Sequence, residues 1–104
     1  MMDPGREASG EELREIARYF YLLKDIRRLR ILVTLSSNKE MTVTELARAL
    51  HISQPLVSFH LRPLRDHGLV RMRRAGREAY YSLNLPEILR RQAEFMELLT
   101  EVST

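Results

Sequence analysis

Two helix-start signals, eleven residues apart, constrain the fold of this chain more than any other feature. Thr42-Val43-Thr44-Glu45 has the form of a capping box, in which the threonine hydroxyl and the glutamate carboxylate each satisfy the other's exposed backbone N–H. Ser53 offers a second cap, followed by Gln54-Pro55 in a first turn where proline's missing N–H costs nothing. A short helix must therefore end near Leu50, His51-Ile52 must turn the chain, and a second helix must begin at once. Leu56, Val57, Leu61 and Leu64 give that second helix its apolar residues. Gly68 is placed to end it, because glycine tolerates the left-handed conformation found past helix ends, and His67 suits the negative end of the helix dipole.

Amphipathic helices are expected upstream of this pair. From Glu11 to Leu23 the residues Leu13, Ile16, Ala17, Phe20 and Leu23 recur at helical spacing. Asp25 caps a second segment whose stripe is Ile26, Leu29, Leu32, Val33 and Leu35, ending at Ser36-Ser37-Asn38. Downstream, Leu69–Arg74 and Glu78–Leu83 are rich in strand-favouring residues around Ala75-Gly76-Arg77, which predicts a hairpin. Pro86 then opens a last helix with Ile88, Leu89, Gln92, Phe95, Met96 and Leu99 along one side. The expected fold class is mainly α with a small β-hairpin, in the order α-α-α-α-β-β-α. Residues 1–10, with little to bury, read as a flexible tail, and residues 11–104 as a single domain.

At 104 residues the chain has material for one core. It contains no cysteine, which removes disulfides, thiolate metal sites and thiol chemistry together. No apolar run reaches the ~18 residues of a membrane span, and Met1-Met2-Asp3-Pro4-Gly5 lacks a signal-peptide layout, so no membrane partner and a cytoplasmic location are expected. There is no glycine-rich phosphate loop, no metal quartet and no paired nucleophile and base. An enzyme is not expected, and no cofactor is called for. The formal charge of +3 is unevenly placed: residues 24–83 carry 12 basic and 5 acidic groups, a net +7, whereas residues 1–23 and 84–104 are each −2.

A capped helix, a tight turn, a second capped helix and a hairpin bearing arginines make a winged helix-turn-helix layout. In that layout the second helix enters the major groove of double-stranded DNA and its N-terminal side chains reach base edges. Gln54 and Ser58, one helical turn apart, are the leading readers, since glutamine pairs with adenine through two hydrogen bonds. Ser53 and His60 are further candidates for a base or a phosphate, and Arg62 and Arg65 for a phosphate. In the hairpin, Arg73, Arg74 and Arg77 suit the DNA backbone or minor groove.

These residues resemble a family. Leu29-Arg30-Ile31-Leu32, Val43-Thr44-Glu45-Leu46-Ala47, the run from Ser53 to Leu61, the run from Leu64 to Val70 and the run from Gly76 to Leu83 together look like the ArsR/SmtB repressors, over about residues 24–83. The resemblance implies a homodimer bound to a pseudo-palindromic operator, its first and last helices forming the dimer interface, with an inducer that weakens DNA binding. It also implies a repressor.

The departures from the family pattern concern the inducer. Members that sense arsenic, cadmium or lead carry a Cys-x-Cys pair that aligns with Thr42 and Thr44 here. Zinc and nickel sensors place Asp and His on the last helix, which contains neither in this chain. Sensors of persulfide or oxidation use cysteine pairs. What remains is a small organic ligand, a protein partner, or regulation without an inducer.

Each functional reading has a plainer counterpart. Gln54 and Ser58 also suit a solvated helix face, and Arg62 and Arg65 exposed charges. Arg73, Arg74 and Arg77 also suit edge-strand charges that discourage aggregation. Tyr80 and Tyr81 face opposite sides of a strand, one for the core and one free for sugar or phosphate. A zinc site from His51, His60 and His67 is disfavoured because their side chains would have to converge from a turn, a mid-helix position and a helix end. Tyr19-Phe20-Tyr21 is expected in a dimer core, with a small-molecule pocket as the alternative. The rival functions are a winged-helix module for protein interaction and a DNA-binding protein that does not read sequence.

Overall fold

A computed structural model describes residues 8–101. Residues 1–7 of the expected tail lie outside the described residues. The chain enters helix earlier than the tail boundary implied, because Ser9 caps α1 (Gly10–Leu23): its hydroxyl accepts from the Glu12 N–H while the Glu12 carboxylate accepts from the Ser9 N–H, both at 3.0 Å. Then follow α2 (Ile26–Ser36), α3 (Val43–Leu50), α4 (Gln54–Asp66), β1 (Val70–Ala75), β2 (Glu78–Leu83) and α5 (Leu85–Glu101). The element order is the expected one.

The caps form as the residues dictate. Asp25 accepts from the Arg27 N–H at 2.8 Å, and Thr42 and Glu45 close their reciprocal box. Ser53 accepts from the Leu56 N–H, and Pro55 sits in the first turn. The α3–α4 turn pivots on His51 at φ 57°, an unusual conformation for a residue with a Cβ, which leaves its N–H bonded to the Ala47 carbonyl. Gly68 past α4 adopts φ +78°, as its lack of a Cβ allows.

The core gathers α2, α3, α4 and the strand bases around Ile31, Leu46, Val57, Leu61, Leu64 and Leu69. In two helices the buried stripe is rotated from the expected one. In α1 it is Ile16, Tyr19 and Leu22, leaving Leu13, Phe20 and Tyr21 exposed. In α2 it is Ile31, Leu32 and Leu35, leaving Ile26, Leu29 and Val33 exposed. Both helices are apolar over more than one face, and periodicity alone does not say which face meets the protomer's own core.

The hairpin pairs antiparallel from Val70↔Leu83 to Ala75↔Glu78, with Gly76 at φ +62° in its turn. Met41 adds an isolated bridge on the other side of β2, exchanging two backbone hydrogen bonds with Tyr81 at 2.8 and 2.9 Å. That bridge ties the entrance of α3 to the wing. Asn84 performs the matching task at the other end: its side-chain amide donates to the Gly68 carbonyl and its own carbonyl accepts from the N–H groups of Glu87 and Ile88, so α5 starts against the end of α4.

α5 returns to α1. The Tyr19 hydroxyl donates to the Gln92 side-chain oxygen at 2.7 Å, and Phe20 meets Phe95 edge-on with centroids 4.9 Å apart. Of the aromatic cluster, Tyr19 is thus internal to the protomer, while Tyr21 is 63% exposed beside the Lys24 ammonium.

Candidate nucleic-acid interface

The α3–α4 pair presents α4 as the exposed member of the turn. Its inner side, Val57, His60, Leu61 and Leu64, is buried. Its outer side carries Gln54, Ser58, Phe59, Arg62 and Arg65, all exposed, with Ser53 exposed at the cap. Gln54, Ser58 and Arg62 follow one another at four-residue steps and form a single row. The expected readers Gln54 and Ser58 are therefore brought together, and Arg62 extends their row.

His60 does not join them, which corrects the expectation that it reaches a base or phosphate. Its side chain is 2% exposed, and Nδ1 accepts a hydrogen bond from Arg28 Nε at 3.2 Å. With Nδ1 accepting, the neutral ring carries its proton on Nε2, which has no partner among the described residues. Burial lowers the tendency of His60 to take up a second proton; Asp25 opposes that effect, and Arg28 and Arg27 add to it. His60 is thus a neutral strut between α4 and α2, because position 60 lies on the inner side of the helix set by Val57, Leu61 and Leu64.

The wing arginines also separate. Arg73 is held by Glu40 through two parallel hydrogen bonds, Nε to Oε2 at 2.7 Å and Nη2 to Oε1 at 2.8 Å, and its guanidinium lies 4.7 Å from the Tyr80 ring centroid. Hydrogen bonding to Arg73 lowers the Glu40 pKa from its ordinary value and raises that of Arg73. Arg74 and Arg77 are exposed and make no ion pair among the described residues. With Arg71 of β1, likewise exposed and without an ion pair among the described residues, they are the free cations of the wing.

Two further residues that the sequence offered for phosphate lie on this surface. Arg65 and Tyr81 line a groove between α4 and the wing, together with Ser58, Leu61, Arg62 and Asp66. Tyr81 also packs against the core, whereas Tyr80 lies against the Arg73 guanidinium on the strand's other side, the division expected of two successive strand residues. The place of Tyr81 in the groove depends on the Met41 bridge, for which a single-residue pairing leaves no sequence signal. Helix α4 also runs through Pro63, whose missing N–H deprives the Phe59 carbonyl of its usual intrahelical donor.

The family's metal sites do not fit these residues. Thr42 spends its hydroxyl on the α3 cap, and a threonine at 42 and 44 offers no thiolate. On α5 the acidic groups Glu87 and Glu94 pair with Arg90 and Arg91. Among the described residues no three His, Asp or Glu side chains gather as metal ligands would.

A capped helix pair with an exposed polar row, flanked by a two-stranded wing with free arginines, defines a winged helix-turn-helix regulator. The model of the arsR family of bacterial regulatory proteins matches residues 25–72. A Synechocystis protein called a transcriptional repressor SmtB homolog is 36% identical over 88% of this chain and 68% of its own length. Among solved structures, an ArsR-like transcriptional regulator from Rhodococcus sp. RHA1 superposes with a TM-score of 0.79 at 27% identity, covering 88% of this chain and 85% of that one. The homodimeric winged helix-turn-helix DNA-binding domain of a Mycobacterium bovis protein, a possible ArsR-family regulator, gives 0.71 at 29% identity over 97% and 91%. The chain belongs to the ArsR family of transcriptional regulators.

Proposed function

We propose that this protein is a homodimeric repressor that binds a pseudo-palindromic duplex in the cytoplasm, reading bases with Gln54 and Ser58 and holding the backbone with Ser53, Arg62, Arg74 and Arg77. The observation that carries this reading is the exposed row Gln54, Ser58, Arg62 on a helix whose other side is buried. A helix presented this way fits the major groove, and the net +7 of residues 24–83 supplies the attraction to phosphate. Arg73 acts differently: locked to Glu40, it positions the wing.

The dimer follows from the apolar surface that α1 and α5 leave exposed to solvent. Leu13, Phe20 and Tyr21 on α1, and Leu89, Met96 and Leu99 on α5, are exposed large hydrophobics on the two helices that pack on each other. A second copy supplies the burial they lack, and a two-fold pair places two reading helices one duplex turn, ~34 Å, apart. No helix among the described residues is long and apolar enough to cross a membrane.

The test is binding of the full-length protein to DNA from upstream of its own coding region, against random competitor, at two salt concentrations. A preference of ~10³ or more establishes sequence reading. Equal affinity for all duplexes, with a salt slope retained, replaces it with a non-specific binder. Sedimentation gives the dimer its separate test: a monomer at micromolar concentration removes the operator geometry.

A further inference from the structure

Phe59 is out of place among the molecule's exposed large hydrophobics. The others lie on α1, α2 and α5, the helices outside the reading unit, or at the start of α5. Phe59 alone among them lies on α4, 65% exposed, between Ser58 and the turn that carries Arg62. Exposing a phenyl ring to water on a helix otherwise faced with polar and basic groups is unfavourable, and a bound partner would remove that exposure.

The ring is also held in place from behind. It meets the His60 imidazole edge-on, with centroids 5.2 Å apart, and His60 is itself buried and hydrogen-bonded to Arg28. At 100° per residue, Phe59 stands one step around the helix from Ser58, on the margin of the row that Gln54 begins. Arg62 stands one turn on from it and the exposed Asp66 two turns on, with Arg65 further round on the side of Ser58, so the cation beside the ring is Arg62 and the matching partner sets an apolar group next to an anionic one. In the major groove the thymine C5 methyl is the apolar feature that meets both conditions, and phenylalanine is one of the side chains that suit it.

We propose that Phe59 is a specificity-determining residue that reads the C5 methyl group of a thymine in each half-site. The inference rests on the DNA-binding reading above and deepens it, because hydrogen bonding by Gln54 and Ser58 is joined by an apolar contact of fixed position.

The experiment begins with duplexes selected by the full-length protein from a random library. Each thymine of the selected sequence is then replaced in turn by uracil, which keeps the pairing edge and removes only the methyl. Affinities are measured at one salt concentration for the wild type, Phe59→Ala and Phe59→Leu. At one thymine position the wild type should lose about fourfold per half-site, the value for one methyl-sized apolar group. Phe59→Ala should lose nothing further at that position while still preferring the selected duplex over random DNA, and Phe59→Leu should keep part of the sensitivity. Equal uracil penalties in the wild type and Phe59→Ala, or no thymine whose methyl matters, overturn the role of Phe59 and leave sequence reading by Gln54 intact. If the library yields no preferred duplex, the DNA-reading function itself fails and the role of Phe59 fails with it.

Discussion

Arg73 and Glu40, 33 positions apart in the chain, face each other across the base of the wing in a two-point ion pair of 2.7 and 2.8 Å. Glu40 precedes Met41, which bridges to β2, so the loop before α3 grips the hairpin by a side chain and a backbone pair at successive residues. A guanidinium neutralised in this way has little left for a phosphate. Arg73→Ala is therefore expected to leave the salt slope of DNA binding nearly unchanged, whereas Arg74→Ala or Arg77→Ala should each reduce it by about 1. Affinity titrations over a salt series decide the matter; a slope change for Arg73→Ala as large as for Arg74→Ala contradicts the assignment.

Gln54→Ala should act in the opposite manner. It is expected to cost about 1–3 kcal/mol on the preferred duplex and little on random DNA, as removal of a base contact does, while leaving the salt slope in place. Equal affinity of this variant for the preferred duplex would take Gln54 out of the reading set.

The buried imidazole of His60 gives the fold a pH dependence of known sign. Its native pKa lies below the ordinary value of 6.5, mainly because burial disfavours the charged ring, so the unfolded chain takes up a proton first as pH falls. The stability associated with neutral His60 is complete above about pH 6.5 and is lost progressively below it, down to the native pKa. The groups facing it are Arg28, Arg27, Asp25 and the Phe59 ring. Denaturant unfolding from pH 7.5 to 5.5 should show falling stability in the wild type and a flatter profile in His60→Gln.

Glu87 titrates in a separate window. Hydrogen bonds from Arg90 and Arg91 hold its pKa at about 2, below the ordinary 4.5, and Arg91 also donates to the His67 carbonyl at the end of α4. A depressed carboxylate stabilises the fold above its unfolded pKa, and that contribution is lost as pH falls from 4.5 toward 2. Because Arg90, the larger of its two partners in effect, is well exposed to solvent, only roughly 1 kcal/mol is expected. The same unfolding series taken to pH 3 should show a shallower acid limb for Glu87→Gln.

His51 occupies the left-handed conformation at φ 57° with its side chain in solvent. His51→Gly should raise stability by up to about 1 kcal/mol, since the strain of a Cβ there is only partly offset by glycine's greater freedom when unfolded. A thermal melt at pH 7.5 reads the change, and a lower midpoint would mean that the His51 ring makes a contribution larger than this strain.

Local chemistry made most of this protein legible from its residues. Caps at Asp25, Thr42 and Ser53, the glycines at 68 and 76 and the strand-favouring runs each act within a few residues, so element order and the helix-turn-helix pair follow from sequence alone. The spacing of Gln54, Ser58 and Arg62 likewise placed them in one row.

Tertiary packing decided the rest, because burial and pairing depend on groups far apart in the chain. Which face of α1 and α2 turns inward is set by where α5 and α4 lie, and this buried Tyr19 while leaving Phe20 and Val33 exposed. Position 60 reads as polar and available in the sequence, yet packing on α2 made it a buried strut bonded to Arg28. Arg73, Arg74 and Arg77 are equivalent by composition, and only the approach of Glu40 across the wing distinguishes one from the others. Helical and strand periodicities are properties of neighbours, whereas exposure and charge pairing belong to the assembled surface.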